Sequence, residues 1–251
     1  LKTQRDEAIA ASQCEYESQW DQLVEKWRSG AADFAATDDA TRQFCTERAG
    51  PWEEIDWDTW KPLADAPAAV RIGEFAIRAG DFSGGLSEHP DLQIERSDYE
   101  LPSLITFPEC PSLLIEADGD ARDEAVHIIQ NAMLRMLATL PAGKVRFTII
   151  DPTGRGQNFS AFMHLADFDE QLVTNRIWTE ASHINKRLVD VTEHMENVIQ
   201  KYLRNEFESI QDYNEHAGEV AEPYRVVVVA NYPTNFSEEA ARRLISIAAS
   251  G

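Results

Sequence analysis

The sequence predicts an α/β protein whose second half forms a parallel sheet, preceded by a helical arm and a short connector. From residue 111 onward, short apolar runs alternate with segments of helical periodicity, in the order strand, helix, strand, helices, strand. The last strand, Tyr224–Val229, is almost wholly apolar, as is typical of a sheet that is covered on both faces. We divide the chain into the arm (1–48), the connector (49–110) and an α/β domain (111–251).

The arm is predicted to be helical from the spacing of its large apolar side chains. Four of them recur at steps of four, three and four, which places them on one stripe of a helix: Tyr16, Trp20, Leu23 and Trp27. After Gly30, residues 31–48 are expected to form a second, short helix. Two interpretations of the arm stay open: it packs on its own domain, or it is the end of a coiled coil that enters from upstream.

The connector is rich in proline and tryptophan and contains two expected extended segments. Its three tryptophans are expected to fasten it to a protein surface, because exposed indole rings would be costly: Trp52, Trp57 and Trp60. Residues 70–77 alternate between apolar and polar side chains, which predicts a strand, and residues 100–108 are expected to be extended.

Each element of the α/β domain has its own signal. The apolar run 112–115 predicts a first strand, a turn around Gly119 leads into a helix that ends near residue 141, and residues 145–150 predict a second strand that closes on Asp151. A long helix follows, with an apolar seam at steps of four, three, four, three and four: Ile184, Leu188, Val191, Met195, Val198 and Tyr202.

Charge and composition exclude several classes of function. The chain carries 23 basic and 44 acidic residues, a net charge of −21, without a cluster of Lys and Arg, which argues against direct DNA contact. Its three cysteines and six histidines show no metal-ligand or disulfide spacing. No apolar run is long enough to span a membrane. We expect no bound metal and a cytoplasmic location, with any membrane association supplied by further parts of a longer parent protein.

Three motifs of the domain occur in a familiar order. They are the strand that ends in Asp151-Pro152, the helix core Glu193-His194-Met195-Glu196, and the segment Ser209-Ile210-Gln211-Asp212-Tyr213-Asn214 ahead of the apolar strand. In these motifs, residues 111–251 resemble the FtsK/SpoIIIE family of P-loop translocases, which includes the EccC-type secretion motors. The resemblance implies a RecA-like three-layer parallel sheet, ATP and magnesium as the family's cofactors, DNA or protein as its substrates, and other P-loop domains of the parent chain or oligomer as partners.

The sequence departs from the family at both nucleotide motifs. At the Walker A loop it reads Gly119-Asp120-Ala121-Arg122-Asp123, so that Arg122 replaces the lysine and Asp123 replaces the magnesium-binding hydroxyl. At the Walker B position, Ala230 and Asn231 stand where the family has two acids. The resemblance therefore implies a degenerate ATPase domain without catalytic residues, acting as a structural or regulatory module. We predict no nucleotide at the turn, because Asp118, Asp120 and Asp123 would repel a triphosphate.

Two other functions stay open. The chain could be a scaffold or interaction module that acts through the amphipathic stripe of its N-terminal helix. It could also be an active ATPase with a non-standard site, in which Asp151 binds magnesium and Arg155 approaches a phosphate. The resemblance further implies that the sheet is incomplete at its C-terminal end, since the family places a later strand between the Walker A and Walker B strands.

Overall fold

The computed structural model describes residues 2–48, 52, 55–82, 85–107, 109–174, 176–203, 207–218 and 221–250. The chain divides into two compact units, one of residues 1–50 and 73–103 and the other of residues 51–72 and 104–251. The boundaries at residues 48 and 110 that the sequence predicts remain predictions. None of the described helices combines the length and the apolar character that a membrane span requires.

The first unit is built on one long helix. Helix α1 spans Lys2–Arg48 without interruption, so the predicted break after Gly30 is wrong. A glycine inside a helix costs about 1 kcal/mol, and the alanines that follow it favour continuation. On α1 the carboxylate of Asp38 is buried and lies 3.0 Å from both Arg42 Nε and Arg96 Nη1. The two arginines compensate the buried negative charge of Asp38.

Two strands near the middle of the chain pair with each other. Strands β1 (Ala69–Arg78) and β2 (Asp98–Thr106) form a two-stranded sheet, which confirms the extended segment expected at 70–77 and most of the one expected at 100–108. Residue 107 belongs to a turn, and residue 108 lies outside the described residues. Short 3-10 turns at Ala79–Asp81 and Pro90–Leu92 lie between them. Of the three connector tryptophans, Trp52 is anchored in the second unit: its Nε1 donates to Asn131 Oδ1 at 3.2 Å, and Arg135 lies over its ring. Trp57 and Trp60 are 50% and 38% exposed, so the expectation that they fasten the connector is wrong for these two.

The second unit contains the parallel sheet. Strands β3 (Val145–Ile150) and β4 (Tyr224–Val229) pair in parallel, with Val145 opposite Tyr224 and Ile150 opposite Val229. The other edge of β3 carries isolated parallel bridges to Val173 and Trp178. The α/β class is thus confirmed, while the sheet among the described residues has two strands. The predicted strand at 112–115 is not formed.

The missing strand has a physical reason. A strand needs the backbone of a neighbour for its N–H and C=O groups, and apolar composition alone does not supply one. Leu113 and Leu114 are 47% and 80% exposed. Ser112 instead donates from its hydroxyl to the carbonyl of Ala248, at 3.3 Å.

Helices cover the two faces of β3 and β4 with two different apolar clusters. Helix α2 (Ala121–Thr139) and the 3-10 segment Gln157–Asp167 pack on the face that carries Phe147. Helices α3 (Ala181–Val198) and α5 (Glu238–Ser250) pack on the face that carries Ile150. A π-helical turn (Ile199–Leu203) and the short α4 (Ile210–Ala217) connect α3 to β4.

The predicted seam of α3 is partly confirmed by burial. Ile184 and Leu188 are fully buried and Val191 is nearly so. These three residues lie on the inner side of the helix, as their helical spacing predicts. The last residue of the predicted seam, Tyr202, lies outside the side chains that the structure describes.

Candidate functional site

The turn that precedes α2 is closed on its own backbone. Gly119 has φ +55°, a left-handed conformation that suits glycine. The N–H of Ala121 donates to the carbonyl of Asp118 at 3.1 Å, and the N–H of Arg122 donates to the carbonyl of Gly119 at 3.4 Å. A phosphate-binding loop directs such amides towards its ligand. Here these two amides are already engaged within the turn.

The side chains of this turn make it an acidic helix start. Asp118, Asp120 and Asp123 are exposed, as is Arg122. Carboxylates near a helix N-terminus interact favourably with its dipole, so these residues stabilise the start of α2. Asp120 is the N-cap residue, although its side chain makes no capping hydrogen bond.

The carboxyl end of β3 carries the most completely buried acid of this region, Asp151. Its exposed fraction is 0%. Three donors converge on its Oδ1: the N–H of Gly154 at 3.1 Å, Nδ2 of Asn158 at 3.4 Å and Nδ2 of Asn231 at 3.3 Å. The backbone N–H of Asp151 donates to the carbonyl of Trp178 at 2.9 Å. Asp151 therefore ties the ends of β3 and β4 to the loop that follows β3.

Glycine is required where that loop passes over the carboxylate. A Cβ on Gly154 would lie 2.5 Å from Asp151 Oδ2 and 2.7 Å from Asn158 Nδ2. The same Oδ2 is buried and has no hydrogen-bond partner among the described residues. Arg155, the other candidate of this loop, is exposed and has φ +49°. The structure thus brings Asp151 together with Asn231 and leaves Arg155 at the surface.

The end of β4 presents an amide where a Walker B strand would present acids. Ala230 is buried and its N–H donates to the carbonyl of Ile150 at 2.9 Å. Asn231 has φ +56°, and its side chain donates to the Asp151 carboxylate. This arrangement fixes loop geometry, and it places no carboxylate from β4 beside Asp151. No group of three or more His, Cys, Asp or Glu residues that could hold a metal occurs in the described part of the chain.

Sequence reasoning missed a second polar cluster, at the beginning of the same two strands. Arg146 and Arg225 are direct neighbours in the β3–β4 register, and Arg187 of α3 lines a cavity with them. The signal available in the sequence is an arginine at the second position of both strands. Their pairing is a property of the register, which the sequence alone does not specify.

A histidine and a glutamate adjoin this cluster. His194 Nε2 lies 2.9 Å from Glu222 Oε1, and Arg225 Nη2 lies 3.5 Å from the same oxygen. Burial, followed by the charge of Arg225, lowers the pKa of His194 below its ordinary value, although Glu222 acts in the opposite direction. The motif Glu193-His194-Met195-Glu196 does not by itself indicate that His194 is buried or paired. The structure gives it a partially buried position beside charged groups.

Comparisons with protein-family models, with curated proteins and with solved structures found no match to this chain. The resemblance to the FtsK/SpoIIIE translocases therefore rests on the three sequence motifs and on their order.

Proposed function

We propose that this chain is a structural or regulatory module of an FtsK/SpoIIIE-type translocase, of the kind that serves cell division, chromosome segregation or secretion, with a nucleotide site that has lost catalysis. The observation that carries the proposal is the closed turn before α2, in which the amides of Ala121 and Arg122 are bonded to backbone carbonyls. The partners of such a module are other P-loop domains of the parent chain or oligomer.

The chemistry of the replaced residues supports the same proposal. Phosphoryl transfer depends on a lysine at the phosphates, a hydroxyl and an acid that hold magnesium, and a group that orients the attacking water. At the corresponding places this chain has Arg122, Asp123, Ala230 and Asn231. Asn231 is moreover occupied as a hydrogen-bond donor to Asp151.

Calorimetric titration with Mg·ATP, combined with an assay of ATP hydrolysis, tests the loss of catalysis. We expect no micromolar binding and no hydrolysis above background in this chain. In a parent protein that hydrolyses ATP, the rate should persist when Arg122 is replaced by Ala. Micromolar binding of Mg·ATP that is lost in Arg155→Ala but kept in Arg176→Ala would contradict the proposal and would favour the non-standard ATPase site at Asp151 and Arg155.

A second candidate function, a scaffold that acts through α1, is favoured by the exposure of its apolar stripe. Tyr16, Leu23 and Trp27 are 65%, 49% and 40% exposed. Ile9, Tyr16 and Leu23 also recur every seven residues, as the residues of a coiled-coil seam do.

Light scattering distinguishes the scaffold from the first proposal. A concentration-dependent oligomer that Leu23→Glu dissolves and Ser18→Glu preserves would favour the scaffold, because Ser18 is an exposed residue on the opposite side of α1 from the stripe. A monomer at all concentrations would exclude a self-associating scaffold.

A further inference from the structure

Three arginines from three elements converge beside the parallel sheet of the second unit. Arg146 of β3 and Arg225 of β4 stand directly opposite each other in the register. Arg187 of α3 completes the group, and all three line a cavity of about 180 Å³. The cavity lies on the α3 side of the sheet, because side chains alternate along a strand and Ile150, four residues after Arg146, packs against α3.

The repulsion among these three guanidinium groups is unfavourable unless carboxylates or a bound anion offset it. Like charges that face each other on neighbouring strands repel. Burial is the main cause that lowers the pKa of Arg225; Arg146 and Arg187 lower it further, while Glu222 raises it. The chain as a whole has a net charge of −21, yet it places three cations next to one another at this point.

Neighbouring side chains pair with only some of the N–H donors of the three arginines. Arg225 lies 3.5 Å from Glu222, Arg187 Nη1 lies 3.6 Å from Asp190 Oδ2, and Arg146 donates to the side-chain oxygen of Gln171. The Nε atoms of Arg146 and Arg187 are buried and have no hydrogen-bond acceptor among the described residues. Buried N–H donors on charged groups are normally paired, so these two atoms are available to donate to a bound acceptor.

We propose that this cavity binds a phosphate or the phosphoryl group of a small ester, held by Arg146, Arg187 and Arg225. Guanidinium groups bind phosphate oxygens through paired N–H donors, and donors from three elements suit a tetrahedral anion better than a planar carboxylate. Thr148, Thr174 and Gln171 line the same cavity and add neutral polar groups. Glu170 also lines the cavity, and its negative charge opposes the binding of an anion.

The size and the place of the cavity separate it from a nucleotide site. Its volume of about 180 Å³ corresponds to roughly six water molecules at ~30 Å³ each, which accommodates a phosphoryl group and its hydration. Arg146 precedes Asp151 by five residues of extended chain, or about 16 Å at ~3.3 Å each. The proposal is therefore independent of the function proposed for the carboxyl end of the strands.

Calorimetric titration of the whole chain with inorganic phosphate, at constant ionic strength kept with chloride, tests the site. We expect saturable binding of one phosphate. Arg146→Gln should weaken it at least about tenfold, because a lost hydrogen bond to a charged group costs that much in affinity. Arg243→Gln is the matched control, since Arg243 lies on α5 and pairs with Glu239, and it should leave the affinity unchanged.

One further variant and one further measurement distinguish the loss of the site from a loss of folding. Glu170→Gln should strengthen phosphate binding, which unfolding does not mimic. Without phosphate, Arg146→Gln should raise the melting temperature or leave it unchanged, because it removes the repulsion from Arg225.

Equal affinity for inorganic phosphate and for glycerol phosphate would identify free phosphate as the ligand, and tighter binding of glycerol phosphate would identify an ester. The absence of saturable phosphate binding, saturation by acetate but not by phosphate, or binding that Arg146→Gln and Arg187→Gln both leave intact would overturn the proposal.

Discussion

At the scale of single residues, Asp151 organises the carboxyl end of the sheet. Replacing it with Ala would leave three donors without their acceptor, on Gly154, Asn158 and Asn231. Because an unsatisfied buried donor costs about 1–3 kcal/mol, we expect Asp151→Ala to lower the free energy of unfolding by at least about 2 kcal/mol. Urea denaturation measures this loss. Asp167→Ala, at an exposed acid, serves as the control and should change stability by no more than about 0.5 kcal/mol.

Alanine substitutions at two glycines should change the stability of the protein in opposite directions. A methyl group on Gly154 would collide with the carboxylate of Asp151, whereas one on Gly30 meets nothing within 4 Å. We expect Gly154→Ala to destabilise the second unit by about 1–3 kcal/mol through overpacking. Gly30→Ala should stabilise α1 by up to about 1 kcal/mol, since alanine is the better helix former. Thermal unfolding followed by circular dichroism compares the two, and a stabilising Gly154→Ala would contradict the packing around Asp151.

His194 should make the stability of the second unit depend on pH. Its pKa is lowered in the folded state by burial and by Arg225, so the unfolded chain binds the proton more readily. The free energy of unfolding should therefore fall as the pH drops below about 6.5, the ordinary pKa of histidine, and level off below the folded-state pKa. His194→Gln removes this component. Denaturation at pH 7 and at pH 5 should show a smaller loss in His194→Gln, and an equal loss would refute the assignment.

At the scale of elements, the sequence predicts those features whose cause lies within a single segment. The spacing of Ile184 and Leu188 predicts the buried side of α3, because helical periodicity is contained in the segment itself. The bounds of β3 and β4 are likewise visible as apolar runs. Residues 112–115 carry the same local signal and form no strand, because pairing needs a neighbour that the segment does not specify. The arginine cluster was missed for the same reason, since its members meet only through the register of β3 with β4.

Helix α4 offers a test of a local signal. Ser209 accepts a hydrogen bond from the N–H of Asp212, and the carboxylate of Asp212 accepts one from the N–H of Ser209, both at 3.1 Å. This capping box satisfies two backbone donors at the start of a helix of eight residues. We expect Ser209→Ala to cost about 1 kcal/mol. Hydrogen exchange of the α4 amides measures the effect, and Ser160→Ala, at an exposed residue of the second unit, controls for a general change in stability.

At the scale of the whole molecule, the distribution of charge separates two kinds of phosphate recognition. A duplex-binding protein spreads Lys and Arg over a surface that follows the phosphate backbone. This chain has 44 acidic against 23 basic residues, and the three arginines of its cavity lie partly buried in a space of about 180 Å³. A single phosphoryl group fits such a cavity, whereas the cavity offers no continuous basic surface to the phosphates of a stiff duplex.

Duplex DNA should therefore remain unbound under conditions in which inorganic phosphate binds. Non-specific DNA binders have dissociation constants of about 10⁻⁴ to 10⁻⁶ M at physiological salt, and the net charge of −21 argues against such binding by this chain. Fluorescence anisotropy of a labelled duplex, titrated with the chain at 150 mM salt, should show no saturation at protein concentrations up to about 10⁻⁴ M. Lowering the salt should not create binding, because repulsion between the two polyanions grows as screening weakens. Saturable binding of the duplex that weakens with salt and disappears in Arg146→Gln would show instead that the arginine cluster binds a nucleic-acid backbone.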